Sequence, residues 1–133
     1  MNDAWKKVKA FHEAYSSPVR NKPGKLSAER VKKRKKWMEE ELNEFNKAST
    51  IEDQADAMID TIYLALGTLV EMGIKPESLF QIVHEANMNK LWPDGKPRYR
   101  KSDGKVIKPP DWKDPQPRIR EEIKRQSMQM TQK

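Results

Sequence analysis

Cysteine is absent from the chain, which argues against a disulfide framework and leaves no thiolate for a metal, and fits a reducing compartment. Histidine occurs twice, as His12 and His84. Five glycines supply no Gly-rich phosphate loop and no dinucleotide-binding fingerprint, and neither a Ser nor a Cys nucleophile motif nor an internal repeat is present. Long apolar runs are missing too: the best reaches only about 14 residues and contains Asp60, so no membrane span is expected. Residues 1–9 are polar and no apolar leader segment follows, so a cytoplasmic location is expected.

Apolar residues are themselves scarce, at 35% of 133 residues, and Leu, Ile, Val and Phe together number 24. Scattered, they would leave the chain near the disorder boundary. They are instead concentrated at 51–91, with a thinner stripe at 26–45. The length allows one domain, placed at 1–117, followed by a polar tail at 118–133. A core this thin is often completed by a second subunit, so a homodimer or homotetramer is expected.

The net charge of +7 is unevenly distributed. Residues 20–36 carry nine basic side chains against Glu29; residues 39–60 carry eight acids against Lys47; from 90 onward there are thirteen basic residues and six acids. An acidic centre between basic arms suits a metal–phosphate ligand at least as well as a nucleic-acid groove.

The acidic centre is split over two helical segments. At roughly 100° per residue, Glu40, Glu41 and Glu44 share one side of their helix, and Asp53, Asp56 and Asp60 share one side of theirs. The short polar link at 46–50 permits only a tight reversal, so the two faces can meet. Carboxylates that close resist ionising unless a cation neutralises them. All-oxygen ligands point to Mg²⁺, or Mn²⁺, rather than zinc. Glu39 and Glu52 read as solvated surface. Asp60 lies in a segment, 57–70, that is apolar on most of its circumference and is expected to be buried, which requires a metal or an Arg or Lys partner.

Four main helices are expected. The first covers 3–16 with Asp3 as its cap and Trp5, Val8, Phe11, His12 and Tyr15 at helical spacing. A Pro- and Gly-containing loop separates it from a second helix, 28–47, capped by Ser27, whose stripe of Val31, Met38, Leu42 and Phe45 is expected to face the core. Arg30, Lys33 and Arg34 precede the carboxylates on this helix, with Lys33 roughly 10 Å from Glu40, the reach of an extended triphosphate. The third helix, 51–72, is capped by Thr50 or Ser49 and ends at Gly73. Pro76 opens the fourth, 76–91, where His84, Asn87 and Lys90 form a polar set. Asp103-Gly104 between short extended runs signals a hairpin, 109–115 is extended, 118–133 can form a frayed helix, and the end from Ser127 is expected to be disordered.

Glu40-Glu-Leu-Asn-Glu44 has the form EExxE. With Phe11-His-Glu-Ala-Tyr15, Ala55-Asp-Ala-Met-Ile-Asp60, Val83-His-Glu-Ala-Asn-Met-Asn-Lys90, and the run from Asp94-Gly-Lys-Pro97 to Asp103-Gly-Lys-Val-Ile-Lys108, it forms an ordered set over about residues 5–115. That set resembles the all-α nucleoside triphosphate pyrophosphohydrolases (MazG-like), most closely the phosphoribosyl-ATP pyrophosphohydrolase-like group. The resemblance implies an antiparallel all-α helical bundle with a short C-terminal hairpin arm, paired as a dimer or tetramer. It also implies Mg²⁺ on Glu40, Glu41, Glu44, Asp53, Asp56 and Asp60, and cleavage of a nucleotide between its α and β phosphates. Asp53 stands where the family has Glu, one methylene longer, which leaves open whether it ligates directly or through water.

On this reading Glu41 takes the proton of the attacking water, and Lys33, Arg34, Asn87 and Lys90 hold phosphate oxygens. Phe11, His12 and Tyr15 shape a base or sugar pocket. The expected role is house-cleaning of canonical or damaged nucleotides; phosphoribosyl-ATP hydrolysis proper and a non-enzymatic basic nucleic-acid binder are the alternatives. Against the nucleic-acid binder, carboxylates share a helix face with Arg30, Lys33 and Arg34 and would repel a phosphate backbone.

Overall fold

The computed structural model describes residues 1–130, the side chain of Met130 excepted. Five helices and one two-stranded sheet follow in the order α1 (Asn2–Ala14), α2 (Ala28–Lys47), α3 (Ile51–Met72), α4 (Glu77–Met88), β1 (Arg98–Tyr99), β2 (Val106–Ile107) and α5 (Gln116–Met130). The described residues are mostly helical: the four main helices expected are present, and α5 stands where a frayed helix was expected at 118–133. Residues 127–130 continue α5, where disorder was expected; the rest of that expectation, 131–133, lies outside the described residues. Among the described residues no single helix is long and apolar enough to cross a membrane. Two compact units are present among the described residues, 1–76 with 126–130, and 77–125.

In the first unit α3 is the central element, packed by α1 and α2. Trp5, Val8, Leu66 and Val70 form its core, with Val19 and Leu69 against them. Local chemistry sets the helix limits. Ser27 Oγ accepts from the Arg30 N–H and Thr50 Oγ1 from the Asp53 N–H, each satisfying a first-turn donor that has no partner within the helix. Asp3 is not the cap of α1; that helix starts at Asn2 and Asp3 lies inside its first turn. Gly73, at φ 70°, closes α3, with its N–H bonded to Val70 O and the Ile74 N–H to Leu69 O, the paired bonds of a Schellman turn. The loop after α1 folds over this end: Arg20 N–H donates to Val70 O and Gly24 N–H to Met72 O.

The packing of α2 differs from expectation. Its stripe of Val31, Leu42 and Phe45 is exposed, Val31 and Leu42 by about half, and Met38 is half-buried; its buried residue is Arg34, 6% exposed. In α3, likewise, Ile51, Ile59 and Ile62 remain exposed although the segment is apolar nearly all round, and Asp60 is half-buried rather than buried. Two neighbouring helices cover only part of the α3 circumference.

The second unit holds α4, the sheet and the first part of α5. Arg98 pairs with Ile107 and Tyr99 with Val106, antiparallel, as the Asp103-Gly104 turn predicts. Gly104 takes φ 73° in the turn, its N–H bonded to Arg100 O, and the Arg100 guanidinium grips the Asp103 carboxylate. Arg118 pairs with Glu85 at 2.7 Å, and the Trp112 indole N–H donates to Ala86 O at 2.7 Å.

Candidate metal and active site

Helices α2 and α3 run antiparallel along a polar seam. At one end Arg30 grips Glu71 through two bonds of 2.9 Å, from Nε to Oε1 and from Nη2 to Oε2. Arg34 Nη1 lies 3.1 Å from the same Oε2, its Nε donates to Thr68 Oγ1 at 3.0 Å and its Nη2 to the Leu64 carbonyl at 2.7 Å. Glu71 is 1% exposed, so the two guanidiniums neutralise a carboxylate that could not otherwise be buried. Both guanidiniums also stand over the Trp37 ring, 5.6 and 5.1 Å from its centre.

Two turns further along α2 the seam becomes acidic. Glu41, Glu44 and Asp60 each present a carboxylate oxygen, all within 4.8 Å of one another. Oε2 of Glu41 is buried and has no hydrogen-bond partner. Burial, a shared hydrogen bond with Glu44 and the charges of Glu44, Asp60 and Asp56 push the Glu41 carboxyl above its usual range. Burial and the charges of Asp56 and Glu44 push Asp60 the same way.

An orphaned, buried acceptor among converging acids fits a cation. The donors are carboxylate oxygens alone, the chemistry of Mg²⁺ or Mn²⁺. A divalent ion there would satisfy Glu41 Oε2 and remove the repulsion that raises the carboxyl pKa values.

The structure thus brings together three of the six expected carboxylates, with Asp56 exposed and near enough to act through its charge. Glu40 is exposed and outside this group; Asp53 is exposed in the first turn of α3. Lys33 is exposed. Arg34 is not available as a phosphate ligand, because Glu71, Thr68 and Leu64 engage its donors inside the seam. His12 does not line a base pocket: it is buried, with Nδ1 2.8 Å from the Pro18 carbonyl, which can only accept, so Nδ1 carries a proton.

Phe11 and Tyr15 are exposed rings rather than core, 4.7 Å between centres. Tyr63, not anticipated from sequence, stands edge-on to Phe11 at 5.7 Å, and its place one turn after Asp60 is the signal that could have found it. Glu71 was also missed, although an acid three turns beyond Asp60 in an apolar helix asks for a partner just as Asp60 does. On the second unit, Lys90 Nζ lies 5.6 Å over the Trp112 ring and the Lys90 N–H donates to Asn87 O.

The family model for phosphoribosyl-ATP pyrophosphohydrolase matches residues 8–87, more than half of the chain and the whole of the α2–α3 seam. Among solved structures the chain is similar to a provisionally assigned NTP pyrophosphohydrolase from Exiguobacterium sp. 255-15. The identity is 29%, the match covers 95% of this chain and 96% of that one, and the TM-score is 0.53. No curated protein matches. The chain belongs to the phosphoribosyl-ATP pyrophosphohydrolase family and is a hydrolase of the nucleotide pyrophosphohydrolase type.

Proposed function

We propose that the protein is a Mg²⁺-dependent nucleoside triphosphate pyrophosphohydrolase that cleaves between the α and β phosphates, releasing a monophosphate and pyrophosphate. The observation that carries this reading is the convergence of Glu41, Glu44 and Asp60 around an unpartnered, buried Glu41 oxygen.

Glu41, Glu44 and Asp60, with Asp56 beside them, would hold the cation. When bound, Mg²⁺, with Mn²⁺ as a substitute, supplies charge neutralisation to the phosphate oxygens and acidity to water. Glu41 accepts the proton of the water that attacks the α-phosphorus; the bond to the bridging oxygen breaks and pyrophosphate leaves in line with the attack. Lys33, exposed on α2, supplies positive charge for the outer phosphates. Phe11 and Tyr15, with Tyr63 beside them, are the surfaces assigned to the base or sugar.

Nucleotide-pool house-cleaning in the cytoplasm is the role that we assign to this activity. The exposed stripe of Val31, Leu42 and Phe45 supports a homodimer or homotetramer, in which a second copy completes the helical bundle.

Phosphorus NMR of the protein incubated with Mg²⁺ and a mixture of NTPs and dNTPs tests the reading. Monophosphate and pyrophosphate should appear with wild type and not with Glu41→Gln. Inorganic phosphate and diphosphates in their place would exclude α–β cleavage.

A further inference from the structure

The two ends of the α2–α3 seam share one register. Arg30 stands opposite Glu71, Arg34 opposite Thr68, and Glu41 opposite Asp60, so the advance along α2 from Arg30 to Glu41 is matched by an equal step back along α3 from Glu71 to Asp60. The basic end is closed by directional bonds of 2.7 to 3.1 Å. The acidic end, without a cation, is self-repelling.

No apolar side chain of α2 is buried in this arrangement: Trp37 and Met38 are half-buried, and the buried residue is Arg34. The stripe of Val31, Met38, Leu42 and Phe45 is centred about 60° around the helix from the Arg34–Glu41 line. Burial of that stripe against α3 would favour a rotated α2, with the carboxylates turned away from Asp60. The short link at 48–50 limits sliding of α2 along α3 but leaves rotation free. We infer that Arg30, Arg34 and Glu71 are positioning residues: their buried ion pairs fix the rotation and register of α2 that bring Glu41 and Glu44 to Asp60.

This inference rests on the proposed metal site, but its geometry can be tested apart from it. A bidentate guanidinium–carboxylate pair tolerates only small displacements, whereas a one-residue slide moves a helix by about 1.5 Å. Gly67 is part of the device: a Cβ at that position would lie 2.5 Å from Arg34 Nη2 and 2.9 Å from His12 Nε2, so its absence makes room for the guanidinium.

The test compares Glu71→Gln and Gly67→Ala with Val8→Ala, a core variant on α1 that leaves the ion pairs intact. Gly67→Ala, which removes no charge, keeps the test available where Glu71→Gln does not fold. Two readouts are taken on folded protein: Mn²⁺ affinity by electron paramagnetic resonance, and the distance between spin labels on Lys36→Cys and Glu52→Cys, which the cysteine-free chain makes unique. The clamp variants should bind Mn²⁺ at least about tenfold more weakly, the scale of outer-shell losses in metal sites, with a shifted or broadened label distance. Val8→Ala should change neither. Unchanged affinity and distance in folded clamp variants, or an equal loss in Val8→Ala, would overturn the inference. A wild type that binds no Mn²⁺ would overturn the metal-site reading instead, and the label distance would then decide the register assignment by itself.

Discussion

Gly67 and Arg34 are matched to each other: the space above the Gly67 Cα, where any other residue would carry a Cβ, is filled by the Arg34 guanidinium. A mid-helix glycine is unfavourable by up to about 1 kcal/mol relative to alanine, so its presence in α3 marks a close approach by a neighbouring element. That neighbour is a buried cation from α2, with His12 of α1 on the same spot.

Replacing Gly67 with Ala should therefore destabilise the protein by about 1–3 kcal/mol, despite the gain in helix propensity, because the displaced guanidinium is pinned by Glu71, Thr68 and Leu64. Urea unfolding measures it. A stabilised variant would mean that Arg34 has room to move.

Glu71→Gln leaves two guanidinium charges without their counter-ion in the seam. A loss on the order of 3 kcal/mol is expected, the scale for breaking a buried pair from one side. Glu39→Gln, whose pair with Lys35 is exposed, should cost less than about 0.5 kcal/mol in the same assay.

Gly73 combines φ 70° with the Lys22 carbonyl standing where a Cβ would go. Gly73→Ala must adopt a left-handed conformation that costs roughly 1–2 kcal/mol and must also push away backbone rather than a side-chain tip. Its midpoint of unfolding should fall below that of Gly67→Ala.

The raised carboxyls give the metal-free protein a definite pH signature. Folded-state pKa values of Glu41 and Asp60 lie above their unfolded values, so the folded state binds more protons and stability falls as pH rises from about 4 through the folded values. Glu41→Gln and Asp60→Asn should accordingly raise the melting temperature in chelator at neutral pH and leave it nearly unchanged at pH 4. Saturating Mg²⁺ should reverse the order, stabilising wild type above both variants. Identical melting curves across this pH range would contradict the electrostatic account of the cluster.

These effects come from parts of the structure that were unequally legible in the sequence. Ser27, Thr50 and Gly73 announce helix ends because capping is local chemistry, read within four residues. The Asp103-Gly104 hairpin is legible for the same reason. The face that α2 turns inward was not legible: its apolar stripe is the stronger periodic signal, but Arg30, Arg34 and Glu71 neutralise one another across helices, and no single-helix pattern contains that pairing. The carboxylates show the same limit. Each helix puts three acids on a face, and only the interhelical register decides that Asp60 meets Glu41 and Glu44 while Asp53 remains in an exposed first turn.

The exposed α2 stripe carries the assembly prediction. Wild type should elute well above the 15.6 kDa of one chain, and Leu42→Glu with Phe45→Glu should return it to that mass without unfolding α2. Light scattering after size exclusion measures both. A monomeric wild type would remove the second copy from the account.

The most direct test of the central claim is calorimetric titration of metal-free wild type and Asp60→Asn with Mg²⁺ and Mn²⁺, paired with turnover of the same samples on a nucleoside triphosphate mixture. The account predicts saturable binding by wild type, and loss of binding and turnover together in Asp60→Asn. A variant that binds metal as tightly as wild type, or that turns over nucleotide at the wild-type rate, would contradict the assignment of the Glu41, Glu44 and Asp60 cluster as the metal site.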